Sequence, residues 1–286
     1  MPTYLRVEKD HVKFFVIWVG AVVVKRGEHM SVATINGVNI YFEIHGNGFP
    51  IILIHHGFGC VKIWQDIYPA LVEHGYSVIM YDRIGYGKSE AGRNFLEFLV
   101  SDNFRSESVR DLQLLVNYLG IDSFHLIGQC DGGVIAVDYA AKFHDHVKSV
   151  TTSSTLCFSS TPMIEGNKAR FPHVFKDLDQ KFKEKLISWH GEMRAEPYYN
   201  QLRRYGGVYG RNYFDLRPEL SKVICPALVL YPDRSFFFEV EQGVAFYRCL
   251  AQGELVVFPK CGHNTYELLP HQYIYQTIAF FERHGF

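Results

Sequence analysis

The six residues Gly128-Gln129-Cys130-Asp131-Gly132-Gly133 stand between the β-rich run Phe124-His125-Leu126-Ile127 and a stretch of helical character over 134–142. A chain that reverses from strand into helix within so few residues strains the backbone of its tip residue. Strand and helix are brought into close approach, which requires small neighbours on both sides. Gly128 and Gly132 supply them, and the tip residue is Cys130. Such a turn pushes the side chain out of the fold at the positive end of a helix dipole. That setting favours thiolate over thiol, and thiolate is the form that attacks carbonyl carbon. A free cysteine also packs well in a core, but the flanking glycines and the strand–helix frame point to an enzyme with a cysteine nucleophile.

A chain of 286 residues, 48% apolar and 21% charged, can bury one large core carrying an insertion. Its 29 Lys plus Arg against 30 Asp plus Glu leave no long-range field to recruit nucleic acid or an anionic membrane. Cysteines 60, 130, 157, 225, 249 and 261 show neither Cys-x-x-Cys pairs nor framework spacing and read as reduced thiols of a cytoplasmic protein. Among 14 histidines, neither His55-His56 nor His144-Asp145-His146 belongs to a cluster with metal-site spacing, so no metal is expected.

Residues 1–29 form an extension of different character. The apolar run at 14–24 is flanked by Lys13 and by Lys25-Arg26. It falls short of the roughly twenty residues that a bilayer span needs, and no small-x-small cleavage pattern follows it; a signal peptide, a surface extension, a membrane-touching segment and an upstream translation start all stay open. The folded unit is expected to begin near Met30, where β-rich runs at 32–35 and 38–44 flank Asn36-Gly37. That dipeptide tolerates the positive φ angles of a type I′ hairpin turn.

Beyond the hairpin, apolar runs at 51–54, 77–81, 147–152, 227–231 and 254–258 alternate with helical stretches at 63–73, 108–119 and 273–283. Continuous apolar runs are what strands buried on both faces look like. Ser108-Val109-Arg110-Asp111 reads as a capping box opening a helix that Gly120 stops. The pattern predicts an α/β fold with a mainly parallel central sheet covered by helices on both faces. Core segments are 30–157 and 222–286. The alternation lapses over 158–221, a polar stretch rich in Phe, Tyr and Trp, which is expected to form an inserted helical lid. About half of those aromatics should fasten the lid to the body, and the rest should line an apolar pocket.

Over roughly residues 31 to 286 the chain resembles the α/β-hydrolase superfamily. The resemblance is carried by His56-Gly57-Phe58-Gly59 after one strand and by Tyr81-Asp82-Arg83-Ile84-Gly85-Tyr86-Gly87-Lys88-Ser89 after the next. The cysteine turn and Cys261-Gly262-His263-Asn264 near the end complete it. It implies Cys130 as nucleophile and His263 as general base, with the backbone N–H groups of Phe58 and Asp131 as the oxyanion hole. His55 and His56 are expected to shape the adjoining loop, and the Asp131 side chain to face away or find a partner.

The acid departs from the family pattern. Where Gly-Asp-x-Asp is usual after the strand at 227–230, this chain has Tyr231-Pro232-Asp233-Arg234-Ser235. Asp233 is the candidate catalytic acid, displaced by two residues, and Glu239 is a weaker one. Ser235 occupies the expected position and is a candidate support for the imidazole. The two departures are compatible, because a thiol needs less help to ionise than a serine alcohol.

Acyl transfer to water follows: hydrolysis of an ester, thioester or lactone through an acyl-thioenzyme, on a small substrate with an apolar or aromatic acyl group. Cysteine at this turn is similar to dienelactone hydrolases, whereas the lid and the His-Gly-Phe-Gly loop look more like lidded esterases and C–C bond hydrolases. Transfer to another acyl acceptor uses the same nucleophile. Two other classes stay open: a ligand-binding receptor on a hydrolase scaffold, and an engineered Ser-to-Cys variant of a serine hydrolase. The aspartate of a haloalkane dehalogenase belongs at the tip, where Cys130 stands. No Gly-x-Gly-x-x-Gly follows the first strand, so no nicotinamide or flavin cofactor is expected. Oligomeric state is not encoded in any of these features.

Overall fold

The computed structural model describes residues 29–286 with the exception of Arg93; the apolar run at 14–24 lies outside the described residues. Strands β1 (His29–Ile35) and β2 (Val38–His45) form the expected hairpin, with Ile35 facing Val38 in register. Asn36 and Gly37 take φ of 52° and 75°, the left-handed pair that a type I′ turn needs. β3 (Pro50–Ile54), β4 (Ser77–Tyr81), β5 (Phe124–Gln129), β6 (Val147–Ser153), β7 (Ala227–Pro232) and β8 (Gly253–Phe258) complete one eight-stranded sheet. The strand order is β1-β2-β4-β3-β5-β6-β7-β8, and every pairing from β4 to β8 is parallel. The mainly parallel α/β architecture is as the sequence predicts.

Both faces of the sheet are covered. Ile52 and Ile54 of β3, Ile79 and Tyr81 of β4 and Val229 of β7 pack under helices α3 (Phe104–Leu119), α4 (Asp131–Lys142) and α9 (Val240–Arg248). The alternate residues Ile51, Leu53, Val78, Met80 and Leu228 pack on the other side under α1 (Tyr68–Glu73) and α11 (Pro270–Arg283). Burial on both faces is why these strands read as unbroken apolar runs. Four further helices, α5 (Met163–Arg170), α6 (Gln180–His190), α7 (Glu192–Tyr205) and α8 (Arg217–Leu220), are inserted between β6 and β7. Two short helices, α2 (Phe95–Phe98) and α10 (Thr265–Leu268), complete the set.

Two helix boundaries differ from expectation. α3 starts at Phe104, and Ser108 lies a full turn inside it with its hydroxyl donating to Phe104 O at 2.8 Å. Phe104 is buried, so packing extends the helix upstream, and the serine bonds back to the preceding turn instead of capping. Gly120 does stop α3, at φ 64°. The helix expected over 63–73 is split into a 3₁₀ turn at Val61–Trp64 and α1. Pro69 lacks the N–H that a continuous helix would use and sits instead in the first turn of a new one.

Candidate active site

Cys130 sits at the reversal from β5 into α4 with φ 51° and ψ −110°, a strained conformation for any residue with a β carbon. The surroundings enforce it. A β carbon on Gly128 would lie 2.3 Å from Gly132 O, and one on Gly132 would lie 2.0 Å from Ile54 O, so strand and helix meet where only glycine fits. Cys130 N–H donates to Ser153 O at 2.8 Å and its carbonyl accepts from Gly133 N–H at 2.9 Å, fixing the turn to β6 and to α4.

The thiol is 9% exposed and lines a cavity of about 330 Å³ between the sheet's C-terminal edge and the insertion. Its Sγ lies 3.7 Å from Asp131 Oδ1 and 3.5 Å from the Tyr209 hydroxyl. Burial and the Asp131 charge push the thiol pKa up, so the resting side chain carries its proton. This reverses the thiolate expected from the helix dipole, because desolvation outweighs it.

Asp131 faces inward. Its Oδ2 lies 3.9 Å from Arg83 Nη2, and burial raises its pKa to about 6 against the pull of that guanidinium. The carboxylate fits because residues 57 and 207 are glycines: a β carbon on Gly57 would stand 2.7 Å from Oδ2.

His263 follows β8, is 5% exposed, and lines the same cavity. Its Nδ1 lies 3.1 Å from Ser235 Oγ and its ring packs edge-on to Phe237, centroids 4.5 Å apart. Burial, aided by Arg170, pushes the imidazole pKa down to about 3. Among the described residues no hydrogen bond joins His263 to Cys130 or to any carboxylate. Asp233 points elsewhere: Oδ1 accepts from Cys261 N–H at 3.0 Å and Oδ2 lies 3.6 Å from Arg234 Nε. The backbone N–H groups of Lys260 and Cys261 hold its pKa low. Glu239 is exposed at the start of α9. The geometry thus departs from the expected Asp233–His263 contact. Asp233 is committed to the turn after β8, and Ser235 is the group on the imidazole.

The loop after β3 is held from three sides. Phe58 N–H donates to His56 Nδ1 at 3.2 Å, and His56 Nε2 lies 3.0 Å from the Tyr266 hydroxyl. His55 Nε2 accepts from Arg83 N–H at 3.1 Å, so the histidine pair shapes the loop. From the insertion, His190 Nε2 donates to Phe58 O at 2.9 Å and the Tyr198 hydroxyl donates to Gly57 O. Peptide 57–58, whose N–H is the expected oxyanion donor, therefore receives a hydrogen bond from α7 on its carbonyl.

Phe171, Phe182, Trp189, Tyr199 and Tyr209 of the insertion line the cavity, whereas Phe175 is packed inside it and Tyr213 is exposed. Arg170 also reaches the cavity, 5.3 Å above the Phe238 ring, with no ion pair or hydrogen bond among the described residues. Sequence reasoning missed Arg170 and His190; Tyr198 and Tyr209 were among the aromatics of 158–221 expected to fasten the lid or line the pocket, but the contacts of their hydroxyls with Gly57 O and Cys130 Sγ were not foreseen. Only Tyr209 had a local signal, its place in Gly206-Gly207-Val208-Tyr209-Gly210, where all three glycines take positive φ. Among the described residues there is no cluster of three His, Cys, Asp or Glu able to hold a metal, and no helix long and apolar enough to cross a membrane.

Comparison with known proteins agrees with this fold. Residues 50–204 match the family described as alpha/beta hydrolase fold. A proline iminopeptidase of Clostridioides difficile (strain 630) is 30% identical over 178 residues, 60% of this chain and only 58% of that protein's length. A 2-hydroxy-6-oxo-6-phenylhexa-2,4-dienoate hydrolase of Burkholderia cepacia is 25% identical over 251 residues, covering 78% of this chain and 85% of the relative. Among solved structures, a bromoperoxidase from Bacillus anthracis superposes with a TM-score of 0.72 at 22% identity. It covers 89% of this chain and 100% of its own, a likeness of fold.

Proposed function

The chain belongs to the alpha/beta hydrolase fold family, and from that premise we propose that it hydrolyses an ester, thioester or lactone through a covalent acyl-thioenzyme on Cys130. The observation that carries this reading is the strained Cys130 backbone, φ 51° and ψ −110°, on the floor of an apolar cavity that also holds His263. Strain of this kind persists where the surrounding fold over-determines it and is concentrated at sites of chemistry. His263 is the imidazole at the acyl centre and Asp131 N–H is an oxyanion donor, whereas Phe58 N–H, the second donor that the resemblance implies, is bonded to His56 Nδ1 at 3.2 Å. The aromatic lining favours an apolar or aromatic acyl portion, the segment 158–221 acting as a lid over it.

The test is intact-mass analysis after incubation with a panel of activated esters, thioesters and lactones. A mass gain on the unsubstituted protein, located at Cys130 and absent from Cys130→Ala, is the expected result. Equal turnover by Cys130→Ala would remove the acyl-thioenzyme, and an absence of adduct with tight ligand binding would favour a receptor. Faster turnover by Cys130→Ser would point to a serine hydrolase whose nucleophile had been replaced.

A second reading is cleavage of a C–C bond in a carboxylate-bearing compound. It draws on the Burkholderia relative, named for a dienoate and matched over most of its length, and on the guanidinium of Arg170. An arginine without an anionic partner in an apolar cavity fits a substrate that brings its own carboxylate. Acyl transfer to an acceptor other than water would show in the same experiment as adduct turnover that depends on an added alcohol or amine.

A further inference from the structure

The hydrogen positions at His263 follow from the bonds of Ser235. The Ser235 hydroxyl oxygen accepts from Phe237 N–H at 3.1 Å and from Phe238 N–H at 3.2 Å, and these two donors occupy both of its lone pairs. The remaining contact, 3.1 Å to His263 Nδ1, is left to the hydroxyl hydrogen, so Ser235 donates and Nδ1 accepts. Burial and Arg170 hold the imidazole pKa near 3, so the ring is neutral at ordinary pH and carries its single hydrogen on Nε2. A carboxylate in the place of Ser235 would accept from Nδ1–H and leave Nε2 bare, ready to receive a proton. The serine inverts that arrangement.

The thiol proton has a different neighbour. Cys130 Sγ donates toward Asp131 Oδ1 at 3.7 Å, on the residue that also lines the cavity. Asp131 is 5% exposed, and its Oδ2 has no hydrogen-bond partner. The groups around its carboxylate include Arg83 after β4, Tyr86, the Tyr198 hydroxyl from α7, and the backbone N–H of Val208 together with Tyr209 from the Gly207–Tyr209 turn. With a pKa of about 6 against about 3, Asp131 is the stronger proton acceptor of the two candidates. The expected oxyanion donor Phe58 N–H is already engaged by His56, so a further donor on the cavity wall has a place to act.

We propose that Asp131 takes the proton of Cys130, and that His263 acts through Nε2–H as a neutral hydrogen-bond donor to the acyl oxygen instead of as the base. The proposal rests on the reading of Cys130 as nucleophile. As the carbon–sulfur bond forms from a sulfur electron pair, the S–H proton passes to Asp131 Oδ1 and the carbonyl π pair moves onto oxygen. That oxygen is held by His263 Nε2–H and Asp131 N–H. When the pair re-forms the carbonyl, the bond to the leaving atom breaks and that atom receives the proton from Asp131. Water then attacks while giving its proton to Asp131, and the departing thiolate recovers it. His263 enters and leaves each step neutral, as a polarising imidazole can.

Histidine-¹⁵N-labelled protein tests the tautomer, with His263→Gln used to assign the signal. Hydrogen on Nε2 supports the proposal, and hydrogen on Nδ1 overturns it. Adduct formation from an activated thioester, followed by intact mass, tests the roles. Asp131→Asn should slow it about 10²- to 10⁴-fold, the range of general-base catalysis. His263→Gln, whose amide donates but is no base, should form adduct faster than His263→Ala. Full speed in Asp131→Asn, or glutamine as slow as alanine at 263, overturns the proposal. If Asp131→Asn does not fold, the glutamine-to-alanine comparison and the tautomer decide. No adduct on the unsubstituted protein would overturn the acyl-thioenzyme and this proposal together. An Nδ1–H signal beside normal adduct formation would overturn this proposal alone.

Discussion

Ser235 and Asp233 lie two positions apart and have exchanged the roles that their chemistry suggests. Asp233 is bound to the backbone of the turn after β8, and Ser235 holds the imidazole. Asp233→Asn retains an acceptor oxygen for Cys261 N–H, so kcat/KM on the best ester should stay within about threefold, a change of under 1 kcal/mol. Ser235→Ala removes the donor to Nδ1 and should lower kcat by about tenfold or more, corresponding to the loss of one buried hydrogen bond. Steady-state kinetics on the two variants checks both, and a large loss for Asp233→Asn would restore an ordinary triad. The places of Cys130 and His263 on one cavity were legible because each follows a strand at a turn of recognisable composition. The support of the histidine was not, since two polar residues so close in sequence are told apart only by which one the loop aims inward.

Helices α6 and α7 are tied to the core by polar groups as much as by rings. His190, at the end of α6, donates to Phe58 O and accepts from Gly87 N–H at 3.0 Å, and the accepting bond requires the neutral ring. Burial lowers its pKa to about 4. A histidine depressed in the folded state binds its proton in the unfolded chain first, so stability falls as pH drops from about 6.5 towards 4. His190→Gln should flatten the dependence by one proton, about 1.4 kcal/mol per pH unit within that window. Urea unfolding at pH 5 and pH 7 measures it; an unchanged slope would mean that His190 is not neutral when folded. Strands and sheet-covering helices were readable from apolar periodicity. The start of α3 was misplaced because Phe104 packs where local composition suggested loop, and the break before α1 because Pro69 outweighed the helical character around it.

At the scale of the whole molecule, the cavity exists only where the insertion meets the C-terminal edge of the sheet. Cys130 and His263 come from the core, while Arg170, Phe182 and Trp189 come from the inserted helices. Arg170→Met should raise KM for carboxylate-bearing substrates by roughly 10- to 100-fold, as expected for one charge-assisted hydrogen bond, and leave neutral esters nearly unchanged. Equal effects on both classes would assign Arg170 a packing role against Phe238.

Sequence by itself determined the doubly covered parallel sheet, the hairpin at Asn36-Gly37, the strained cysteine turn and the late histidine. Each is written in local periodicity or in residues that alone tolerate a given backbone angle. Only the tertiary structure decided the burial of the thiol, the inward aim of Asp131, the contact of Ser235 with His263 and the arginine in the cavity. Those depend on burial and on which groups meet across tens of residues of chain, and no local pattern records distances of that kind.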